Sequence, residues 1–243
     1  MNSTLSIDIS QSWSASTVVI KATPKSNSSG PVVLASQAIW KDPGGNAFYI
    51  FGGRAPYLSN RDRITKDGIW KFTVDGKGGG SWAKELPSNP GLLNTLTLTY
   101  GAAYASSPDG VGYSIGGRAK PDTEPDLPND YNVVIPGMLS YEMKSKIWSF
   151  SSTAMAVPPT GALWNGRAEY VPLFGRKGLL FLMGGLVYDE KGEKSHMFDF
   201  NNVTFYDPVD GKWRYQQTQG YAPTERQTFC TVGVAGPNGT YEM

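Results

Sequence analysis

Apolar residues in this chain come in short runs, and three of the most apolar runs close on a pair of glycines. They are Phe48-Tyr49-Ile50-Phe51-Gly52-Gly53, Val111-Gly112-Tyr113-Ser114-Ile115-Gly116-Gly117 and Leu179-Leu180-Phe181-Leu182-Met183-Gly184-Gly185. The second glycines lie 64 and 68 residues apart, and Trp82, Trp148 and Trp213 follow at intervals of 66 and 65. A repeat of this kind is one supersecondary unit that buries its apolar face only against its neighbours. A run such as Leu179 to Met183, apolar on both faces, belongs in the middle of a sheet packed between other sheets.

Each repeat reads as four antiparallel strands. The first ends in a tight turn: Asp42-Pro43-Gly44-Gly45-Asn46, Ser107-Pro108-Asp109-Gly110, Gly175-Arg176-Lys177-Gly178 and, in a fourth copy, Gly236-Pro237-Asn238-Gly239. Gly, Asn and Asp supply the positive φ that such turns require. The apolar run is the second strand, and its glycines let adjacent backbones approach closely. A polar loop of variable length leads to a third strand: Ile69 to Thr73, Met138 to Tyr141, or Val203 to Tyr206. Its aromatic lies seven residues before the repeat tryptophan in two copies (Tyr141 to Trp148, Tyr206 to Trp213), and Gly76 to Gly80 stretch the spacing to ten in the first. The tryptophan opens the outermost strand. No stretch sustains a helical period.

A hydrophobic strand ending in diglycine, then a tyrosine, then a tryptophan about seven residues on, resembles the kelch repeat. The resemblance covers essentially the whole chain. It implies an all-β fold, a partial kelch-type β-propeller with full four-stranded blades at 32–86, 95–150 and 164–217 and half-blades at 1–20 and 226–243. The period is longer than the usual kelch period of about 50, the excess lying in the loops after each diglycine. The opening (Leu5-Ser6-Ile7-Asp8, Ser12-Trp13) and Arg226 to Gly236 look like fungal kelch proteins of the cell-surface type. Those carry a signal peptide, a propeller ectodomain, one transmembrane helix and a cytoplasmic tail.

Both ends read as cut within a blade. Ile7 and Trp13 match the third-strand aromatic and the outer tryptophan, which predicts two outer strands at Leu5–Ile7 and Thr17–Ile20. Gly239 predicts a diglycine near position 245. Unpaired inner edges at each end would template association. The expectation is an open arc that self-associates, with closure of a four-bladed ring by the terminal half-blades as the alternative. The chain as it stands reads as cytoplasmic, and as extracellular and membrane-anchored if the full-length gene supplies a signal peptide and a transmembrane helix.

Composition agrees with strands and turns: 29 Gly, 17 Pro, 7 Trp, 13 Tyr and 10 Phe. A net charge of +1, from 22 basic and 21 acidic residues, offers no footprint for nucleic acid. No apolar run reaches the roughly 18 residues of a membrane span. Cys230 stands alone, so no internal disulfide forms. Four N-x-[ST] acceptors, Asn2, Asn27, Asn202 and Asn238, matter only if the chain is secreted.

In such a scaffold, function resides in loops rather than in blades. The loops after the diglycines, Arg54 to Asp67, Arg118 to Gly137 and Leu186 to Asn201, are expected on one face. The first is basic (Arg54, Arg61, Arg63, Lys66) and the second acidic (Asp122, Glu124, Asp126, Asp130). This face would take a protein or small-molecule ligand. The third loop gathers Asp189, Glu190, Glu193 and the single histidine, His196, and Asp189, Glu193 and His196 are weak candidates for iron or manganese. One histidine excludes the two-histidine copper site of propeller oxidases. Arg54 and Arg118 each follow a diglycine, Arg167 and Arg226 each open a first strand, and all four read as structural ties from blade to blade rather than as catalytic residues. No cofactor and no catalytic residue is expected. The reading is a non-catalytic kelch interaction or scaffold protein, of fungal cell-surface type or accessory to a secondary-metabolite pathway. The alternative is a metal-dependent enzyme centred on His196.

Overall fold

The computed structural model describes residues 3–24, 30–56, 64–66, 68–189, 192 and 194–243. Asn2, Asn27, Arg61, Arg63, Asp67, Glu190 and Glu193 lie outside them. A hairpin comes first, β1 (Ser3–Ile7) and β2 (Ile20–Pro24). The first four-stranded meander is β3 (Ala38–Lys41), β4 (Ala47–Phe51), β5 (Ile69–Val74) and β6 (Gly80–Glu85). A short helix, α1 (Pro90–Thr95), leads to β7 (Ala103–Ser106) and β8 (Val111–Ile115). After a small loop ribbon of β9 (Arg118–Ala119) and β10 (Val133–Val134), β11 (Met138–Glu142) and β12 (Ile147–Ser151) complete the second meander. The third follows β13 (Leu163–Trp164) and consists of β14 (Arg167–Val171), β15 (Leu179–Met183), β18 (Asn202–Asp207) and β19 (Lys212–Gln217). Between its halves, β16 (Leu186–Tyr188) and β17 (Ser195–Met197) join β13 in a loop sheet. A last hairpin is β20 (Val234–Ala235) and β21 (Tyr241–Glu242).

All strand pairs are antiparallel, and in each meander consecutive strands are neighbours. The aromatic–tryptophan spacing now has a physical cause. Phe72 is opposite Trp82, Tyr141 opposite Trp148 and Tyr206 opposite Trp213, with ring centroids 5.0, 4.7 and 5.3 Å apart. The row is the same in all three. The first copy's longer spacing is taken up in its turn, where the Asp75 carboxylate accepts hydrogen bonds from the Lys77 and Gly79 N–H groups.

Consecutive meanders pack face to face. The first junction is aromatic: Trp40, Tyr49 and Phe51 of the first meander meet Tyr141 and Trp148 of the second. Trp40 Nε1 donates to the Tyr113 carbonyl at 2.9 Å, and a Cβ at Gly112 would lie 2.2 Å from the Trp40 ring. Glycine therefore stands there although it weakens a strand. Tyr141 OH donates to Glu85, which also pairs with Lys146 at 3.2 Å. The second junction is more aliphatic, with Ile115, Leu163, Leu180, Leu182 and Val157 around the stacked Tyr113 and Tyr170. Each large apolar side chain so buried contributes about 1.5–3 kcal/mol.

The diglycines make the joint between meanders. In each pair both residues have positive φ, and the second glycine's N–H donates to the backbone leading into the next unit: Gly53 to Thr99, Gly117 to Leu163 and Gly185 to Arg226, at 2.8–2.9 Å. A Cβ on the first glycine would come within 2.6, 2.2 and 2.5 Å of those same carbonyls. A second ladder runs beside it. Gly101 N–H donates to Ser36 C=O, Asn165 N–H to Gly101 C=O and Thr228 N–H to Asn165 C=O. These four residues recur at nearly one repeat length, and all are left-handed, at φ 56°, 63°, 57° and 55°. The joint is thus conformational and tolerates Ser, Gly, Asn or Thr.

The terminal hairpins depart from expectation. Ile7 pairs with Ile20 rather than with Trp13, which lies half-exposed in the connection, so the second strand is Ile20–Pro24 instead of Thr17–Ile20. Arg226 opens no strand; the pairing begins only at Val234. α1 was not foreseen. It is held by its flank, where Asn89 exchanges two 2.8 Å hydrogen bonds with the Trp148 backbone and Leu93 is buried.

Candidate ligand-binding face

The residue after each diglycine pairs back with the strand leading into its own meander: Arg54 with Ala35, Arg118 with Tyr100 and Leu186 with Trp164. This fixes where the loops leave the sheets. Arg54 then reaches the next unit, its guanidinium 4.8 Å from the Tyr100 ring centroid. Arg118 repeats the move, 4.2 Å from Trp164 and 5.2 Å from Tyr188, and donates to the Tyr188 hydroxyl at 3.0 Å. A guanidinium over an aromatic face contributes about 0.5–1 kcal/mol at exposed sites and more when desolvated. The third copy has Leu186 in this place.

These contacts bring the three loops together. The basic first loop and the acidic second loop neutralise each other: Arg54 lies 3.7 Å from Asp122, and Lys66 pairs with Glu124. The Ala55 N–H donates to the Asp122 carbonyl at 2.8 Å, and the Glu124 carboxylate also accepts from the Leu98 N–H. Two of the four acidic candidates are therefore spent within the fold. Asp126 and Asp130 stay exposed at the tip of the second loop, beside Asn129 and Asn132. The tip stands on the ribbon of β9 and β10, in which Val133 pairs with Ala119.

Tyr100, Trp164 and Tyr188 escaped the sequence reading. A signal existed, since Tyr100-Gly101 and Trp164-Asn165 repeat an aromatic followed by a left-handed residue. Burial pushes the Tyr100 phenol above its ordinary pKa, with Arg54 and Arg118 opposing. Among the described residues Arg54 Nε, Arg118 Nε, Asp122 Oδ1 and Trp164 Nε1 are buried without a hydrogen-bond partner.

The third loop is a hairpin. His196 is exposed and opposite Val187, while Asp189 lies two rows away on the other strand, its N–H donating to the Lys194 carbonyl. Among the described residues no three His, Cys, Asp or Glu side chains gather closely enough to hold a metal ion. Arg167 lies 5.9 Å from the Phe229 ring, across the junction with the C-terminal segment. Asn202 is exposed at the start of β18 and Asn238 in the last turn, and Cys230 is exposed and free. Among the described residues no helix is long and apolar enough to cross a membrane. Comparison with known protein families and with curated proteins finds no match for this chain.

Proposed function

We propose that this chain is part of a kelch-type β-propeller, closest to the fungal cell-surface class, and that it works as a non-catalytic interaction module. On this reading the three meanders are successive blades, and the loops after the diglycines form the binding face. The observation that carries it is the meeting of those loops through Arg54–Asp122, Lys66–Glu124 and Arg118–Tyr188. A rigid, internally neutralised base then presents one exposed polar tip, 126–133, of the kind that binding loops on rigid scaffolds provide. A protein or a small molecule is its ligand.

The test is a binding screen of the chain against peptide and small-molecule libraries, run beside the variant Asp126→Ala, Asp130→Ala, Tyr131→Ala. Ligands lost in the variant support the reading. Ligands that bind both proteins equally place the site elsewhere. Stoichiometric iron or manganese that disappears in His196→Ala would replace the interaction module by a metal-dependent enzyme.

A further inference from the structure

We infer that the groove on the outer face of the first meander receives the C-terminal hairpin of a second copy of this chain, head to tail. The groove holds about 670 Å³ and is lined by Leu5 of β1, Leu34 to Ser36, and the Ile39, Phe48, Ile50 and Trp82 side chains. In the second meander the equivalent rows, Tyr104, Leu139, Tyr141 and Trp148, are those that the first meander covers. The first meander thus offers on this face the joint already used twice between meanders of the chain.

Three features select the occupant. The first is strand order. β1 and β2 form a two-stranded sheet, as do β20 and β21, whereas complete meanders place their second strand beside their third. The turn of the last hairpin matches that of the second meander residue for residue: Ala235, Pro237, Gly239 and Tyr241 fall where Ser106, Pro108, Gly110 and Gly112 stand, and Ala235 pairs with Tyr241 as Ser106 does with Gly112. β20 and β21 are therefore a first and second strand, and β1 and β2 supply a third and fourth.

The second is the ladder of left-handed residues. It begins at Ser36, whose N–H has no partner among the described residues, and ends at Thr228, whose carbonyl has none. Ser36 borders the groove. Seating a second copy's segment there lets Ser36 N–H donate to Thr228 C=O, which is the bond already made three times.

The third is side-chain complementarity. By the same register, Val232 and Val234 occupy the positions of Ala103 and Ala105, which face the following meander. They are 75% and 58% exposed, and Ile39 in the groove is 50% exposed. Tyr113, which stacks on Tyr170 across the second junction, has Glu242 as its equivalent, and Tyr170 has Lys41. Both Glu242 and Lys41 are exposed. A carboxylate and an ammonium group thus meet where the internal junction has two stacked phenols. Meanwhile the other face of the hairpin keeps its anchor on the third meander, where Tyr241 OH donates to Glu169.

The inference rests on the proposed succession of blades but not on loop-face binding. Sedimentation velocity of the 243-residue chain across a concentration series is the first measurement, with circular dichroism to verify that each variant keeps its strands. The wild-type chain should associate in multiples of 26.4 kDa. Ile39→Lys closes the groove and Val234→Lys spoils the hairpin, so each alone should be monomeric. An equimolar mixture of the two retains one intact pair of surfaces and should form a one-to-one dimer. Lys41→Glu should weaken association about tenfold, and adding Glu242→Lys to the same chain should restore it. A wild-type monomer at every concentration overturns the inference and leaves loop-face binding untouched. A mixture that stays monomeric, or a charge reversal that fails to restore association, overturns it equally.

Discussion

The second meander has a four-stranded neighbour on both faces and the first on only one, although the two have the same strand order and the same rows. Trp148, in the outer strand of the second, is 1% exposed, wedged between Trp40, Phe51 and Tyr141. Trp82, its counterpart, packs on Phe48 and Phe72 of its own sheet and borders the open groove. A single repeat sequence therefore yields two energetically different positions, because burial comes from the neighbouring unit and not from the strand itself. The aromatic cluster Phe48–Phe72–Trp82 gives the first meander a partial substitute for the missing cover.

The sharpest way to break the comparison is to destroy a diglycine joint of the kind that each meander makes with the next unit. Gly117→Val places a β-branched residue at φ +99° and drives its Cβ into Thr99 and the Tyr100 carbonyl. We expect more than about 4 kcal/mol of destabilisation, read as loss of soluble, strand-rich protein. Gly76→Val, also left-handed but with open space around it, should be far milder and remain soluble.

The tryptophans measure the difference directly. Trp148→Ala should cost about 3–5 kcal/mol in urea unfolding, and Trp82→Ala about half as much because that side chain is only partly buried. Equal losses would mean that the first meander's outer face is covered in solution.

Alkaline titration probes the sealed junctions. Burial, aided by the Asp109 and Asp207 carboxylates, pushes the Tyr170 phenol up to about 12. Tyr113 and Tyr141 are raised further, by burial first and then by Tyr170 and Glu85 respectively. A phenol whose folded pKa exceeds its unfolded value near 10 contributes stability that is complete below pH 10 and lost as pH rises through 12. The tyrosinate absorbance of these buried phenols should therefore rise in one cooperative step together with unfolding. Tyr170→Phe should shift that step to higher pH, and smooth titration without loss of structure would contradict the sealed junctions.

The smallest effects belong to the loop ties. Arg118→Ala removes two ring contacts and one hydrogen bond and should cost about 1–2 kcal/mol. Arg54→Ala, which removes one ring contact and an ion pair to Asp122 at 3.7 Å, should cost about 0.5–1 kcal/mol. Urea midpoints in that reversed order would show that the first loop, not the second, anchors the face.

Much of the architecture was legible because it follows from rows within single sheets. Diglycine after an apolar run, turn glycine before it, and aromatic opposite tryptophan are local patterns with fixed residue types. The sequence by itself determined the antiparallel strands, their order within each meander and the three positions where backbone must meet backbone. Only the tertiary structure decided what meets across the repeat. It set Arg118 on Trp164 and Tyr188, turned Asp122 and Glu124 inward to Arg54 and Lys66, and joined Ser36, Gly101, Asn165 and Thr228 in one ladder. Those contacts join residues of different repeats, and the ladder is defined by a left-handed backbone that four residue types adopt. Charge in a loop is likewise silent about its partner until the fold brings two loops together.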